Sequence, residues 1–328
     1  MYRVNILASE NSVFSTVCGP MEIFLQAGVF WNHINAETYD QKFIVKLTTF
    51  DGKPITNMTG ATLTPHLGIQ ASDKYDLLLI PSEGLQINND AEQYQIRIEY
   101  IKEMFEKGTL IASACTGAFL LGEAGILNGK TATTHWAMAK QFKSDFPDVN
   151  LNTDLLIADS GNVITSGGVT ADLDLSMYII KKLCGPEIAL QTTRCTLVSF
   201  SHKEQKEFKT FIAEKQHGDE TILKCQNYIE KKLSIDLTIS ELAKKFGLST
   251  RTFNRRFKSA TDETAVQYIQ KLKLEKAKWF LEQENSSFES IAIRLGYENI
   301  SYFRRMFKKY TGLSPKEYRG RYFFFGPN

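Results

Sequence analysis

Through the first 185 residues, short and nearly continuous apolar runs alternate with segments whose apolar residues recur at helical spacing. The runs Val4–Ala8, Phe43–Phe50, Leu77–Pro81, Leu110–Ala114, Leu155–Asp159 and Val163–Ser166 read as strands. Between them, Met21–Ala27, Ala91–Glu106, Gly117–Ala124, Trp136–Phe142 and Asp172–Leu183 read as helices. Strands that are apolar on both sides, such as DLLLIP and TLIASA, belong in a parallel sheet covered by helices on both faces. Residues 186–220 lack clear periodicity and are rich in Thr, Ser, Lys and Gln, which predicts a linker with a short helix near Glu204–Ala213.

From Thr221 onward the pattern is helical throughout, and one structural sentence occurs twice. In LTISELAKKFGLSTRTFNRRFKSAT, Leu242, Ala243 and Phe246 line one helix, Gly247 breaks it, and Ser249 caps a second. In FESIAIRLGYENISYFRRMFKKYTGLSPKEYR, Ile291 and Leu295 line a helix that stops at Gly296, and a basic helix follows Asn299. A long helix, Ala265–Glu284, separates the copies and turns Val266, Ile269, Leu272, Leu274 and Ala277 to one side. Ser314-Pro315 opens a last helix, with proline at its first position. Two short helices joined by a glycine-containing turn, the second one basic, form the layout of a DNA-reading helix-turn-helix. Arg251, Asn254, Arg255 and Lys258 share the face opposite Phe253 and Phe257, and Ser301, Arg304, Arg305 and Lys308 point away from Phe303 and Phe307. Arg can bond the acceptor edge of guanine in bidentate fashion and Asn that of adenine, while further cations hold phosphates. The expected partner is double-stranded DNA.

Charge supports that reading once it is divided along the chain. Residues 221–328 hold 21 Lys+Arg against 11 Asp+Glu, a balance of +10, whereas the remainder is at −8. The five cysteines, Cys18, Cys115, Cys184, Cys195 and Cys225, are scattered and never at CxxC spacing, so neither a metal site nor a redox pair is expected. The N-terminus enters a strand directly, and no apolar run reaches spanning length, which predicts a cytoplasmic protein with no membrane partner. No cofactor motif is present.

The stretch from about Thr221 to Tyr322 resembles the DNA-binding domain of AraC/XylS-family regulators, and GYENISYFRRMFKKYTGLSPKEYR matches that family's C-terminal signature almost throughout. The resemblance implies seven helices, two helix-turn-helix units and a linking helix that sets them in successive major-groove segments. Its base-reading positions fall on Arg251, Asn254 and Arg255, and then on Ile300, Ser301, Arg304 and Arg305. Ile300 departs from the polar residue often found there, so methyl or backbone contact is all that is expected of it.

In the first part of the chain, LIASACTGAFLLGEAG carries an apolar strand straight into Cys115, and Thr116-Gly117 then turns into a helix. A nucleophile elbow is built in this way, and a helix start lowers a thiol pKa. With ATTHW following, residues 3–185 resemble the PfpI-like, glutamine-amidotransferase-like domains fused to AraC-type helices, which implies a flavodoxin-like α/β sandwich, usually dimeric. PfpI-type hydrolases place a His after the nucleophile, where Thr116 stands, and a carboxylate at the position of Thr16. With both partners missing, the expectation is a non-catalytic effector pocket gathering Cys115, Thr116, His135 and Glu22 around a small polar, nitrogen-containing metabolite. The alternative is a cysteine-dependent amidase or hydrolase carrying a DNA-binding domain. The boundaries expected are 1–185 for the sensor and dimerisation domain, 186–220 for the linker and 221–322 for the DNA-binding domain. The aromatic tail Tyr322-Phe323-Phe324-Phe325 is expected to pack on a domain face.

Overall fold

A computed structural model of the chain describes residues 1–69, 74–84, 91–198, 204–233 and 237–323. The chain divides into two units, 1–205 and 206–328.

The first unit is a helix-covered sheet of seven strands. Their order is Ile157–Asp159, Val163–Ser166, Leu110–Ala114, Leu77–Ile80, Tyr2–Leu7, Phe43–Thr49 and Leu67–Gly68. All neighbours are parallel except the first pair, an antiparallel edge. Alternation along Leu77–Ile80 feeds two cores. Leu77 and Leu79 face one formed with Val17, Phe24 and Leu175, while Leu78 and Ile80 face another formed with Ile98, Ile101 and Leu121. From Tyr2–Leu7 the chain moves to Phe43–Thr49 on one side and later returns to Leu77–Ile80 on the other. The loops therefore part at the carboxyl ends of these strands, where doubly wound sheets hold their ligands. This is the helix-covered parallel sheet that the alternation predicts, and the flavodoxin-like sandwich that the resemblance implies.

Three local differences have physical causes. The first helix runs Ser15–Gln26 and begins before Pro20, not after it; its packing, with Val17, Pro20, Ile23 and Phe24 buried, overrides the local cost of an interior proline. The segment expected to be linker begins as an α-helix, Pro186–Thr196, with Pro at its start and Ala189 and Thr192 buried. Its apolar stripe is short and interleaved with Thr and Gln, so the sequence hides its period. Near Glu204–Ala213 there is one 3-10 turn, Lys206–Phe208; residues 199–203 of the expected linker, and Phe324 and Phe325 of the tail, lie outside the described residues.

The second unit holds seven α-helices among its described residues: Glu220–Lys231, Ile239–Lys245, Thr250–Thr261, Ala265–Gln283, Phe288–Arg294, Ile300–Thr311 and Pro315–Tyr322. The helix Ala265–Gln283 gives Ala265, Tyr268 and Ile269 to one core and Leu274, Ala277, Phe280 and Leu281 to the next. At 19 residues it spans about 28 Å. Val266, expected on the buried side, is instead 48% exposed, because the stripe is set by Tyr268 and Ile269. The two copies repeat at an offset of fifty residues in hydrogen bonds as well as in sequence. Thr261 Oγ1 donates to Phe257 O at 2.8 Å and receives Glu263 N at 3.3 Å, and Thr311 Oγ1 donates to Phe307 O at 2.9 Å and receives Leu313 N at 3.2 Å. A capping box follows each, Thr264 with Gln267 and Ser314 with Glu317. In the tail, Tyr322 packs its ring 4.6 Å from that of Tyr318 and donates to Glu207.

Candidate DNA interface and effector site

In the first basic helix, Phe253, Phe257 and Thr261 are buried, and Arg251, Asn254, Arg255 and Lys258 are exposed. The helix starts where Ser249 Oγ accepts from Thr252 N at 3.2 Å. Among the described residues, these four outward side chains have no protein partner. The neighbouring Arg256 differs. It donates from Nε and Nη2 to Asp219 at 2.8 and 2.6 Å, and Asp219 also caps the helix Glu220–Lys231 by accepting from Thr221 N and Ile222 N, both at 3.1 Å. Hydrogen bonding to Arg256 holds the Asp219 carboxyl below its ordinary pKa. Arg256 therefore fastens one helix to another, and Arg255 is left to face outward.

The second basic helix buries Phe303, Phe307 and Thr311 and exposes Ser301, Arg304, Arg305 and Lys308. Asn299 caps it by accepting from Tyr302 N at 2.9 Å. Arg305 has no ion-pair partner among the described residues. Arg304 is paired with Glu289 of the preceding helix and lies 5.9 Å from the Phe288 ring centroid. Ile300 is half-buried and packs against the second core. Exposed cations above a buried Phe-Phe-Thr stripe thus recur on both basic helices, suited to a polyanion.

At the sheet's carboxyl edge, Cys115 stands at φ +52°, in the left-handed region, where strand Leu110–Ala114 turns into a helix. Gly117 is required two residues later, since a Cβ there would fall 2.8 Å from Ile80 O. The elbow is therefore real. Its thiol is not activated: Cys115 is buried, and burial pushes the thiol pKa up against hydrogen bonds from Ser82, Thr116 and Gly168. This corrects the expectation of a lowered thiol, because desolvation outweighs the field of a short helix.

Of the four residues expected around a pocket, Thr116 alone lines the cavity beside the elbow. Thr116, in the place of a catalytic His, bonds to Ser82 Oγ at 3.0 Å and donates to Glu83 O. Thr16 carries no charge; its hydroxyl receives Ser82 N at 3.0 Å and donates to Val13 O at 2.7 Å. His135 is half-buried, its Nδ1 accepts from Ala137 N at 3.2 Å, and desolvation lowers its pKa. Glu22 is exposed on its helix, and the thiol raised chiefly by burial and then by its charge is Cys18. A cavity of about 80 Å³ lies beside Thr116, lined by Glu83, Tyr94, Phe119 and Met138, and neither Cys115, His135 nor Glu22 lines it. A larger cavity of about 270 Å³ shares Tyr94 and is lined by Ser9, Asn11, Thr49, Lys53 and Arg97.

Sequence reasoning missed the group that stands between these cavities. Glu83 and Arg97 form a buried ion pair at 2.5 Å, with side chains 7% and 4% exposed, and Glu83 also receives Ser9 Oγ at 3.0 Å. Arg97 Nε has no hydrogen-bond partner among the described residues. The only signal was an arginine at a buried phase of the Ala91–Glu106 helix. Among the described residues, no cluster of His, Cys, Asp or Glu is suited to hold a metal, and no helix is long and apolar enough to cross a membrane.

Comparison with known proteins agrees with this division. Residues 242–321 match a helix-turn-helix domain, and residues 6–182, more than half of the chain, match the DJ-1/PfpI family. The HTH-type transcriptional regulator CdhR of Pseudomonas aeruginosa is 26% identical over 82% of this chain and 79% of its own length. The regulator GbdR of the same species is 24% identical over 83% of this chain and 73% of its own. An isonitrile hydratase of Pseudomonas putida is 31% identical, over 44% of this chain and 61% of its own length. The crystal structure of an AraC-family transcriptional regulator from Pseudomonas putida superposes with a TM-score of 0.51 over 60% of this chain and 100% of its own, at 16% identity, which speaks for the fold. The chain belongs to the DJ-1/PfpI family, and it joins that domain to an AraC-type helix-turn-helix domain.

Proposed function

We propose that this chain is a sequence-specific DNA-binding transcriptional regulator, that it works as a cytoplasmic homodimer, and that a small molecule bound in the first unit controls it. The observation that carries the reading is the repeated basic face. Arg251, Asn254, Arg255 and Lys258 on one helix, and Ser301, Arg304, Arg305 and Lys308 on the other, stand outward over matching buried Phe-Phe-Thr stripes. Arg255 and Arg305 read base edges from the recognition helices, and the lysines hold phosphates. The effector occupies the carboxyl edge of the sheet, where the larger cavity shares Tyr94 with the one beside Thr116 and is lined by Glu10, Asn11, Arg97 and the Lys53–Asp51 ion pair. A zwitterionic or polar nitrogen-containing metabolite suits that mixture.

The first unit turns over no substrate in this reading. The likeness to an isonitrile hydratase is met at the elbow, but Cys115 is buried with a raised thiol, and Thr116 and Thr16 replace the base and the carboxylate. Binding of the full-length protein to promoter DNA at two salt concentrations tests the reading. Selective, salt-sensitive binding that is weakened by Arg255→Ala and Arg305→Ala is the expected result, and absence of selective binding by the folded protein rejects it.

A further inference from the structure

The last residue of the first unit is held in a cradle made for a carboxamide. Gln205 is 3% exposed. Its Nε2 donates to Thr133 Oγ1 at 3.0 Å, Thr134 O at 3.0 Å and Leu155 O at 2.9 Å, and its Oε1 accepts from Trp136 N at 3.2 Å. Three acceptors stand around the nitrogen and one donor faces the oxygen. A carboxylate in the same place would meet three oxygens, and an apolar side chain would leave them unsatisfied. The floor is Gly167, where a Cβ would overlap the Gln205 carboxamide. The cradle touches the elbow, since Thr134 gives its carbonyl to Gln205 and donates its hydroxyl to Cys115 O at 2.9 Å. The backbone completes the anchor: Gln205 N donates to Asp154 O at 2.9 Å, and Glu204 forms an antiparallel bridge with Leu155.

Gln205 thus sits where a ligand of the same shape would sit, and the chain that continues at Lys206 leads into the DNA-binding unit. We propose that this cradle is a binding site for a primary carboxamide or urea group, that Gln205 fills it as an internal ligand, and that a small amide competes with it. Displacement unfastens the connecting segment from the sheet and lengthens the free tether before the DNA-binding unit, which alters the effective concentration of that unit at DNA. The site is separate from the cavities at Arg97 and Thr116, so it stands even if those bind nothing.

Two variants and one probe test it. Gln205→Ala empties the cradle, and Gly167→Ala fills it with a methyl while keeping Gln205. Gly167 is not in the left-handed region, so alanine is allowed there apart from the overlap. Hydrogen exchange at the Gln205 backbone amide in the full chain should be about 2- to 10-fold faster in Gly167→Ala, the factor expected from one lost net hydrogen bond. Exchange at the same backbone amide should rise likewise in Gln205→Ala. Propionamide should raise the Tm of Gln205→Ala, with no such effect from propionate and none on Gly167→Ala. In the wild type, propionamide should accelerate exchange at Gln205 in proportion to its concentration. Unchanged exchange in Gly167→Ala, or a Gln205→Ala protein indifferent to propionamide, overturns the proposal. None of these readings involves DNA, so their failure is separable from failure of the regulator reading.

Discussion

Arg255 and Arg256 are adjacent in sequence, alike in chemistry, and opposite in expected effect. Arg256 is tied to Asp219 by two hydrogen bonds, at 2.8 and 2.6 Å, and is only a third exposed. Arg255 is exposed with no protein partner among the described residues. A bidentate base contact is worth about 1–3 kcal/mol, so Arg255→Ala should weaken operator binding about 5- to 150-fold and leave the Tm unchanged. Arg256→Ala should leave affinity within about two-fold and lower the Tm of the helical unit. Asp219→Ala removes the helix cap together with the partner of Arg256. It should cost about 1 kcal/mol for the cap alone, a fall of about 4 °C in a domain of this size. The Asp219 carboxyl has a lowered pKa in the folded chain. Its contribution is therefore present above the unfolded carboxylate pKa and is lost as the pH falls through the folded one. Fluorescence anisotropy with operator DNA and calorimetry on the same preparations measure both effects. Equal loss of affinity in Arg255→Ala and Arg256→Ala would refute the assignment of one arginine to DNA and the other to the fold.

Three further outcomes follow from the same contacts. Besides the base-reading Arg255 and Arg305, Arg251, Lys258, Lys308 and Lys309 are exposed on the two basic helices, so log Kd against log salt should have a slope of magnitude about 3.6, or roughly a 150-fold loss between 50 and 200 mM; a slope near 1 contradicts it. Burial pushes the Asp172 carboxyl up to about 7. A raised folded pKa means that stability falls as the pH rises from about 4 to about 7 and levels off above that. Asp172→Asn should flatten this dependence and raise the Tm at pH 8, and a calorimetric profile unaltered by the substitution would count against a charged, desolvated Asp172. Finally, the Cys115 thiol should react with iodoacetamide far more slowly than a free thiol at pH 7, and the protein should show no turnover of amides or isonitriles; fast alkylation or measurable turnover would reopen the hydrolase alternative.

Most of the DNA-binding unit was legible because its signals are local. Caps at Ser249, Asn299 and Ser314, breaks at Gly247 and Gly296, and the Phe stripes all lie within a few residues of the feature they determine. What the sequence could not reveal depends on partners far along the chain. Asp219 claims Arg256 from 37 residues away, and Glu289 claims Arg304 from 15. The sheet was legible for its long strands, whereas the two-residue strands Ile55–Thr56, Thr62–Leu63 and Leu67–Gly68 are too short to show a period. The elbow at Cys115 was readable as a strand-to-helix turn. Its surroundings were not, because whether Glu22 or His135 approaches the thiol depends on the phase of one helix and the course of one loop. The Glu83–Arg97 pair and the Gln205 cradle escaped for the same reason: each is assembled from segments that the sheet topology brings together.

The most direct test of the central claim is a hydroxyl-radical footprint of the full-length protein on DNA upstream of its own and neighbouring genes, at 50 and 200 mM salt. The account predicts two protected major-groove segments per DNA-binding unit, about one helical turn apart on one face of the duplex, one lost in Arg255→Ala and the other in Arg305→Ala. Uniform, sequence-independent protection by the folded protein, or a footprint that both substitutions leave intact, would contradict it.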